Sequence, residues 1–199
     1  MRVLITSFGP FPGVDNNSSQ LLMTKISEIY SENGIDINYE VLETSYNFCL
    51  KWIEKFPIEK YDLIIHLGVA IKAKKIRLEK YARNNVCPNS KDFSGNEWGE
   101  SIIYHNTLQR FKTEIELSEV LSQLNTLRNH VYISNNAGDY LCNFIYYLTN
   151  YKKDILFLKT KILFIHLPDI RKKSSANIET QLIVFKKILT AIIKQIKEN

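Results

Sequence analysis

The sequence predicts an α/β fold, a three-layer α/β/α sandwich with a central twisted mixed sheet, formed by one domain over residues 1–199. The first observation is that short apolar runs alternate with amphipathic stretches, the pattern of a sheet covered by helices. The second is the length of 199 residues, which suits one domain with a full core. The third is a composition of 45% hydrophobic and 12% aromatic residues, which excludes a disordered chain because it provides enough apolar surface for folding.

The first strand and the first helix are separated by a turn rich in glycine and proline. Arg2–Ser7 has the apolar pattern of a strand and ends in the turn Gly9–Gly13. Polar residues 15–19 provide several N-caps for a helix over Ser19–Glu32, and an Asn-Gly pair then ends this helix.

The middle of the chain continues the alternation. Ile35–Leu42 alternates as a strand, Ser45–Phe56 carries aromatic residues four apart on one helical face, and Tyr61–Leu67 has the pattern of a buried strand. Lys75–Tyr81 alternates apolar and charged residues, which predicts a further strand. Asn84–Gly99 lacks periodicity and is rich in Asn, Gly, Ser and Pro, which predicts a functional or mobile loop.

The last part of the chain ends in a long helix. The segments before it are predicted as helix, strand, helix and strand: Glu116–Leu127, His130–Ser134, Asp139–Thr149 and Lys161–Leu167. Apolar residues recur at spacings of three and four over Ile178–Ile196, which predicts an amphipathic helix. A coiled coil is the alternative, but additional apolar residues widen the stripe and favour packing on the sheet.

Cysteine content and charge exclude several classes of protein. The three cysteines are too few for a disulfide framework and form no C-x-x-C pair, so we expect a reducing, cytoplasmic location. No apolar run is long enough for a signal peptide or a membrane span, so no membrane partner is expected. The net charge of +5 is dispersed, and the basic cluster Arg171–Lys173 is expected to be a solvated loop. We therefore expect no nucleic-acid partner.

Cys142 is the candidate nucleophile because of its position. It follows a tight Ala137-Gly138 turn and lies in or near the first turn of a predicted helix. Unpaired N–H groups and the helix dipole at such a position stabilise a thiolate and can bind the oxyanion of an acyl-transfer intermediate. The alternative is that Cys142 is a small buried residue, the commonest role of a free cysteine.

Two further residues would complete a catalytic triad. His166 ends a predicted strand, where its imidazole can reach a neighbouring helix start, and a third group is then needed to fix its tautomer. Glu79, the one acid in its strand, is the candidate, and an exposed strand charge is its alternative. His66 has no acidic neighbour and is interpreted as structural, whereas His105 and His130 are expected at the surface.

The remaining motifs argue against metal and phosphate chemistry and indicate an apolar slot. Cys49 and Cys87 have no local base, and the histidines show no H-x-x-x-H or H-E-x-x-H spacing, so we expect no metal. Two prolines in the turn Gly9–Gly13 remove N–H donors that would bind a phosphate. This rigid turn instead presents Phe8 and Phe11, which would form an apolar slot for a small flat ring.

Four blocks of the sequence are characteristic when taken together. Ser134–Asn143 contains A-G-x-Y-x-C, the most specific of them. The other blocks lie before and after it, at Ser7–Phe11, at Ile64–Val69 with Leu78–Lys80, and at Phe164–Pro168. In their residues, order and spacing, these blocks resemble the pyroglutamyl peptidase I family, also called pyrrolidone carboxyl peptidase.

The resemblance implies a cysteine exopeptidase that removes N-terminal pyroglutamate from peptides, on a phosphorylase/hydrolase-like α/β/α fold without a cofactor. It implies that Cys142 is the nucleophile, His166 the base and Glu79 the orienting acid. It also implies that Phe8 and Phe11 contact the pyroglutamyl ring, and that pyroglutamyl peptides are the partners.

The sequence departs from the family pattern in three places. Ser7 replaces the family's first glycine, Pro12 stands where glycine is usual, and Val69–Lys74 replaces a glycine- and arginine-bearing run of bacterial members. Here the chain is similar to the animal branch, so a monomer is expected rather than a homotetramer. A non-catalytic protein that binds small ligands or peptides on the same fold is the alternative, but it conflicts with the intact triad.

Overall fold

The central element is a six-stranded sheet with helices on both faces. The computed structural model describes residues 1–9, 17–30, 34–171 and 177–198. The strands are β1 (Arg2–Phe8), β2 (Asp36–Leu42), β3 (Leu63–Ala70), β4 (Ile76–Glu79), β5 (Tyr81–Arg83), β6 (Arg110–Lys112), β7 (Val131–Ser134) and β8 (Lys161–Pro168). The α-helices are α1 (Ser18–Ile29), α2 (Tyr46–Lys55), α3 (Leu117–Ser122), α4 (Leu141–Ile155) and α5 (Ile178–Glu198), with short 3-10 helices at Ile58–Lys60 and Asn125–His130.

The strand order is β2-β1-β3-β8-β4-β7. The first four strands of that order are parallel, β4 runs antiparallel to β8, and β7 is parallel to β4. The sheet is therefore mixed, as the sequence predicts. A second sheet, formed by the antiparallel strands β5 and β6, was not predicted because strands of three residues are too short to show an alternating pattern.

Two apolar cores separate the sheet from its two helical layers. Leu63 and Ile65 of β3 pack in the core that contains α1, α3 and α5, whereas Ile64 packs in the core that contains α2 and α4. Successive side chains of a strand point to opposite faces, so one buried apolar run serves both cores. The predicted three-layer architecture is confirmed.

Three helices differ from their predicted bounds by three residues or more at one end. The continuous helix predicted over Glu116–Leu127 is wrong: α3 is followed by a separate 3-10 helix, because Asn125 has a φ of 51° that an α-helix does not accommodate. Helix α4 extends to Ile155, beyond its predicted end at Thr149. Helix α1 ends at Ile29. None of the helices that the structure describes is long and apolar enough to cross a membrane.

The segment Asn84–Gly99 is held in place by a buried carboxylate. Asp92 is 2% exposed and accepts hydrogen bonds from the backbone N–H groups of Tyr46, Ser94 and Asn96 at 2.9–3.1 Å. Burial raises the pKa of Asp92, but these hydrogen bonds outweigh burial and lower it. Because Tyr46 is the first residue of α2, this network ties the loop to that helix, which argues against a mobile loop.

Candidate active site

His166 and Glu79 meet because their strands are antiparallel neighbours. Arg77 lies opposite His166 and Glu79 lies opposite Phe164, so the side chains of Glu79 and His166 project from the same face, offset by two residues. The His166 Nδ1 atom lies 2.8 Å from Glu79 Oε1, and the Glu79 side chain is fully buried. An ionised carboxylate only accepts, so Nδ1 carries the proton and Nε2 is left for a second partner.

The second partner of His166 is Cys142. The helix α4 has Tyr140 as its N-cap, so Cys142 is its second residue, and no intrahelical acceptor exists for its backbone N–H. Cys142 lies beside this ring: its Sγ rests against Gly68, which faces His166 across the β3–β8 ladder, and its side chain is among the groups that raise the pKa of His166. The structure therefore brings together Glu79, His166 and Cys142, the three residues that the sequence indicated for a triad.

The charges of the triad are coupled. Burial alone lowers the pKa of His166, but the charge and hydrogen bond of Cys142, together with those of Glu79, raise the pKa to about 9. At neutral pH this favours a protonated imidazole beside the sulfur of Cys142, and a neighbouring cation in general favours the thiolate, the form in which a cysteine is nucleophilic.

The chain reaches Cys142 through the predicted tight turn. The loop 135–140, in which Gly138 has a φ of 88°, connects β7 to α4. The direction of β7 was not predicted: it is antiparallel to β8, so the carboxyl ends of these two strands lie at opposite ends of the sheet. Two of the hydrogen bonds that hold the loop 135–140 connect it to residues 87–91: Cys87 N donates to the Asp139 carbonyl at 2.7 Å, and the Tyr140 hydroxyl donates to the Lys91 carbonyl at 2.9 Å.

Gly68 provides the space that the sulfur of Cys142 occupies. It lies opposite His166 in the β3–β8 ladder. A Cβ atom at this position would lie 2.9 Å from Cys142 Sγ and 2.8 Å from Cζ of Phe164, too close for either contact. Gly68 was not among the predicted site residues. Its place in an otherwise apolar buried strand was the signal that a close approach occurs there.

A small pocket of about 130 Å³ opens beside the sulfur. Its lining is mostly apolar and comprises Phe8, Asn17, Thr44, Val69, Ile71, Tyr140, Leu141 and Cys142. Phe8 is thus placed in the pocket, whereas Phe11 lies outside the described residues. Thr44 was missed because it lies in a short connection between β2 and α2, where no periodic pattern marks it.

The other histidines make contacts of their own, away from His166 and Cys142. His66 is buried, with Nδ1 2.7 Å from Thr6 Oγ1 and Nε2 3.0 Å from Thr149 Oγ1. Because the Thr149 hydroxyl donates to the Ile145 carbonyl, Nε2 donates to Thr149 and Nδ1 accepts from Thr6. Burial lowers the pKa of His66 to about 3, so its ring is neutral, and its contacts fit a structural role.

The remaining candidates have no reactive surroundings. Cys49 is fully buried in α2, and burial raises the pKa of its thiol. His105 is exposed beside Glu100 at 2.9 Å, and His130 is exposed in a 3-10 helix. Within residues 1–9, 17–30, 34–171 and 177–198, no three His, Cys, Asp or Glu side chains are grouped so that they could hold a metal ion.

A larger cavity lies at the opposite edge of the sheet. Its volume is about 760 Å³, and Asp62 and Lys161, at the beginnings of β3 and β8, are among its lining residues. Much of the lining is charged, and it includes none of the three triad residues. Size alone therefore does not identify the site, and the small pocket beside Cys142 is the candidate.

Known proteins resemble the chain over nearly its full length. The family model described as pyroglutamyl peptidase, Peptidase C15, matches residues 1–198. A pyrrolidone-carboxylate peptidase of Lactobacillus acidophilus is 29% identical over 98% of both chains. Pyroglutamyl-peptidase 1 of Rattus norvegicus is 25% identical over 88% of this chain and 82% of its own length.

Structural similarity extends over the same residues. A mutant pyrrolidone carboxyl peptidase from Pyrococcus furiosus has the same fold, with a TM-score of 0.88 and 24% identity, over 98% of this chain and all of the other. The six-stranded sheet and its flanking helices are therefore those of a solved peptidase structure. The match of the family model over residues 1–198 establishes that the chain belongs to the pyroglutamyl peptidase family, Peptidase C15.

Proposed function

We propose that this chain removes the N-terminal pyroglutamyl residue from peptides, with Cys142 as the nucleophile, His166 as the base and Glu79 as the orienting acid. The observation that carries the assignment is the position of the His166 ring. One of its nitrogens lies 2.8 Å from a fully buried carboxylate, and the sulfur at the start of α4 lies against Gly68, the residue opposite His166 in the β3–β8 ladder. Membership of the pyroglutamyl peptidase family supports the substrate class.

In the first half of the reaction, the Cys142 proton resides on His166 and Sγ attacks the carbonyl carbon of the pyroglutamyl residue. The oxyanion that forms is placed near the first-turn N–H groups of α4, which have no intrahelical acceptors. The C–N bond then breaks as the imidazolium gives its proton to the departing amine, which leaves a thioester on Cys142.

In the second half, His166 accepts a proton from water as the water oxygen attacks the thioester carbonyl carbon. The C–S bond breaks, free pyroglutamate leaves, and the proton on His166 restores the ion pair with Cys142. Glu79 stays ionised throughout and holds the imidazole in the orientation that these transfers need.

Recognition of the substrate follows from the absence of charge in its ring. The small pocket beside Cys142 has no Asp or Glu in its described lining, so it suits a lactam and offers no partner for a free α-amine. Phe8 and Leu141 provide apolar surface for the ring, and Thr44 and Asn17 bring polar side chains to the same lining. We assign Phe11 to the ring as well, on the resemblance alone.

The test is release of a fluorophore from a pyroglutamyl amide, with the matching prolyl amide as the control. We expect turnover of the first substrate only, and loss of turnover after alkylation or in Cys142→Ala. His166→Ala is expected to abolish activity and to leave a folded protein. Turnover that persists in folded Cys142→Ala would show that Cys142 is not the nucleophile.

A cytoplasmic location and a monomeric state complete the proposal. Three free cysteines support a reducing compartment, which keeps the thiol of Cys142 available. The monomer rests on the animal-like departures in the sequence. Light scattering of the purified protein during gel filtration tests it, since a tetramer would have four times the chain mass of 23.2 kDa.

A further inference from the structure

The side chain that follows the nucleophile is fully buried and fully hydrogen bonded. A carboxamide has one oxygen acceptor and two N–H donors. In Asn143, Oδ1 accepts from the backbone N–H of Arg83 at 2.9 Å, and Nδ2 donates to the carbonyls of Arg83 and Asn85, both at 2.8 Å. Asn143 is 0% exposed, so each of these bonds replaces one that water would otherwise make.

These three bonds connect the helix that carries Cys142 with the segment that follows Glu79. Asn143 directly follows Cys142, and Arg83 is four residues beyond Glu79 in the chain. One turn further along α4, the hydroxyl of Tyr146 donates to the backbone carbonyl of Glu79 at 3.0 Å. The nucleophile helix therefore holds the segment 79–85 near both of its ends.

Strand pairing positions only two of the three proposed catalytic residues. Strand pairing between β4 and β8 sets Glu79 beside His166, because the register of a ladder is fixed by backbone hydrogen bonds. Cys142 lies on a helix and takes no part in the ladder. Its position relative to the other two residues comes from contacts of α4 and of the loop before it, and the amide of Asn143 makes three of them next to the thiol.

We propose that Asn143 is a positioning residue, which locks Cys142 in register with His166 and Glu79 by binding the backbone of residues 83 and 85. The inference rests on the proposed role of Cys142 as the nucleophile. It adds a second kind of restraint to the site: the sheet aligns the acid and the base, and side-chain bonds of the helix, those of Asn143 nearest the thiol, hold the nucleophile.

The experiment compares two variants of Asn143 with the same two changes at Asn150. Asn143→Asp keeps the acceptor for Arg83 N–H but loses both donors, and Asn143→Ser shortens the side chain without adding charge. Asn150 lies on the same helix, is 6% exposed, and donates to the Tyr146 carbonyl within the helix. Asn150→Asp and Asn150→Ser therefore report what a buried amide contributes to α4 alone.

Two readouts separate positioning from stability. The first is kcat and KM for a pyroglutamyl amide, and we expect kcat of the Asn143 variants to fall about 10- to 100-fold with KM within about threefold. The second is alkylation of Cys142 by iodoacetamide, located by peptide mass analysis, at about pH 6 and about pH 9.5. The ratio of the two rates is expected to fall roughly tenfold, because a misplaced thiol loses the imidazolium that ionises it at low pH.

The Asn150 variants are expected to keep both values near those of the wild type. If folded Asn143 variants match the Asn150 variants in kcat and in the alkylation ratio, the proposal is overturned. It is also overturned if both Asn143 variants fail to fold while both Asn150 variants fold, since the role is then structural. Failure of the proposed function gives a different result: the wild type would not turn over the pyroglutamyl amide, and the alkylation ratio would still test Asn143.

Discussion

Cys142 Sγ rests against the bare backbone of Gly68, where a Cβ atom would be only 2.9 Å from the sulfur. The same atom would lie 2.8 Å from the ring of Phe164, which is fully buried and has little room to move. Gly68 faces His166 across the β3–β8 ladder. The gap that a missing side chain leaves is thus part of how the sheet accommodates the thiol beside the imidazole.

Gly68→Ala is expected to displace the sulfur from the imidazole. The added methyl group meets two fixed groups at once, so we expect kcat/KM to fall roughly 100-fold and the free energy of unfolding to fall by about 1–3 kcal/mol. Turnover of a pyroglutamyl amide and urea denaturation measure the two effects. Gly9→Ala is the control, because its methyl group would meet its nearest neighbours, Leu42 O and Val41 Cγ1, at 3.7 Å. Equal activity of the two variants would contradict the packing argument.

Glu79→Gln is expected to reduce activity without abolishing it. The amide keeps the shape of the carboxylate, but it removes the charge that helps to raise the pKa of His166. We expect kcat to fall by roughly 10²–10⁴, as for loss of the orienting carboxylate in other triads. The pKa of His166 falls as well, so the ion pair with Cys142 persists over a narrower range and the alkaline limb of kcat/KM moves to lower pH. A rate and a pH profile like those of the wild type would mean that another group holds the imidazole.

The sequence predicted those parts of the fold and site that depend on local patterns. Buried strands such as Lys161–Pro168 appear as apolar runs, and Cys142 and His166 lie at the element ends where reactive groups were expected. Local patterns do not give strand direction. The tight Ala-Gly turn into α4 was predicted, but the antiparallel direction of β7 relative to β8 was not, because it is a property of the assembled sheet.

Contacts between residues that are far apart in the chain could not be predicted from the sequence either. Glu79 was predicted as the orienting acid, and an exposed strand charge was the alternative. The alternative stayed open because nothing in its own strand shows that His166 lies 2.8 Å away. Thr44 lines the pocket, and Asn143 binds the backbone of Arg83. Both contacts exist only once the helices have packed, so no local pattern marks either residue. The positive φ of Asn125, which ends the predicted helix, likewise had no periodic signal.

His66 is expected to make the fold sensitive to acid. Burial lowers its folded-state pKa to about 3, whereas an unfolded histidine titrates near 6.5. The unfolded chain therefore binds a proton that the folded chain excludes, and stability falls as the pH drops below the unfolded value toward the folded one. At about pH 4.5 the loss is about 3 kcal/mol.

His66→Gln isolates the contribution of His66 protonation, because glutamine donates and accepts hydrogen bonds but does not titrate. Between about pH 7 and about pH 4.5, the free energy of unfolding of the variant is expected to fall less than that of the wild type. Comparing each protein with itself removes any loss that is independent of pH. Urea denaturation at the two pH values measures the difference, and equal losses in both proteins would show that His66 is protonated in the fold.

Asp92→Asn is expected to loosen the loop beside the pocket. The carboxylate accepts three backbone N–H groups, and an amide can turn only one oxygen toward them, so we expect a loss of about 1–3 kcal/mol in the free energy of unfolding. The backbone N–H of Phe93 donates to the carbonyl of Thr44, which lines the pocket, so KM is expected to rise as well.

The pH dependence of Asp92→Asn distinguishes this effect from a general loss of packing. Because the folded-state pKa of Asp92 lies below the ordinary 3.8, its contribution is complete above that value and is lost as the pH falls through the lowered pKa. The difference in stability between wild type and variant is therefore expected to be constant near neutrality and to shrink below about pH 4. Asp36→Asn is the control, since Asp36 pairs with Arg2 at the surface and its removal should change stability by less than about 0.5 kcal/mol. A difference that stays constant down to low pH would mean that the charge of Asp92 does not hold the loop.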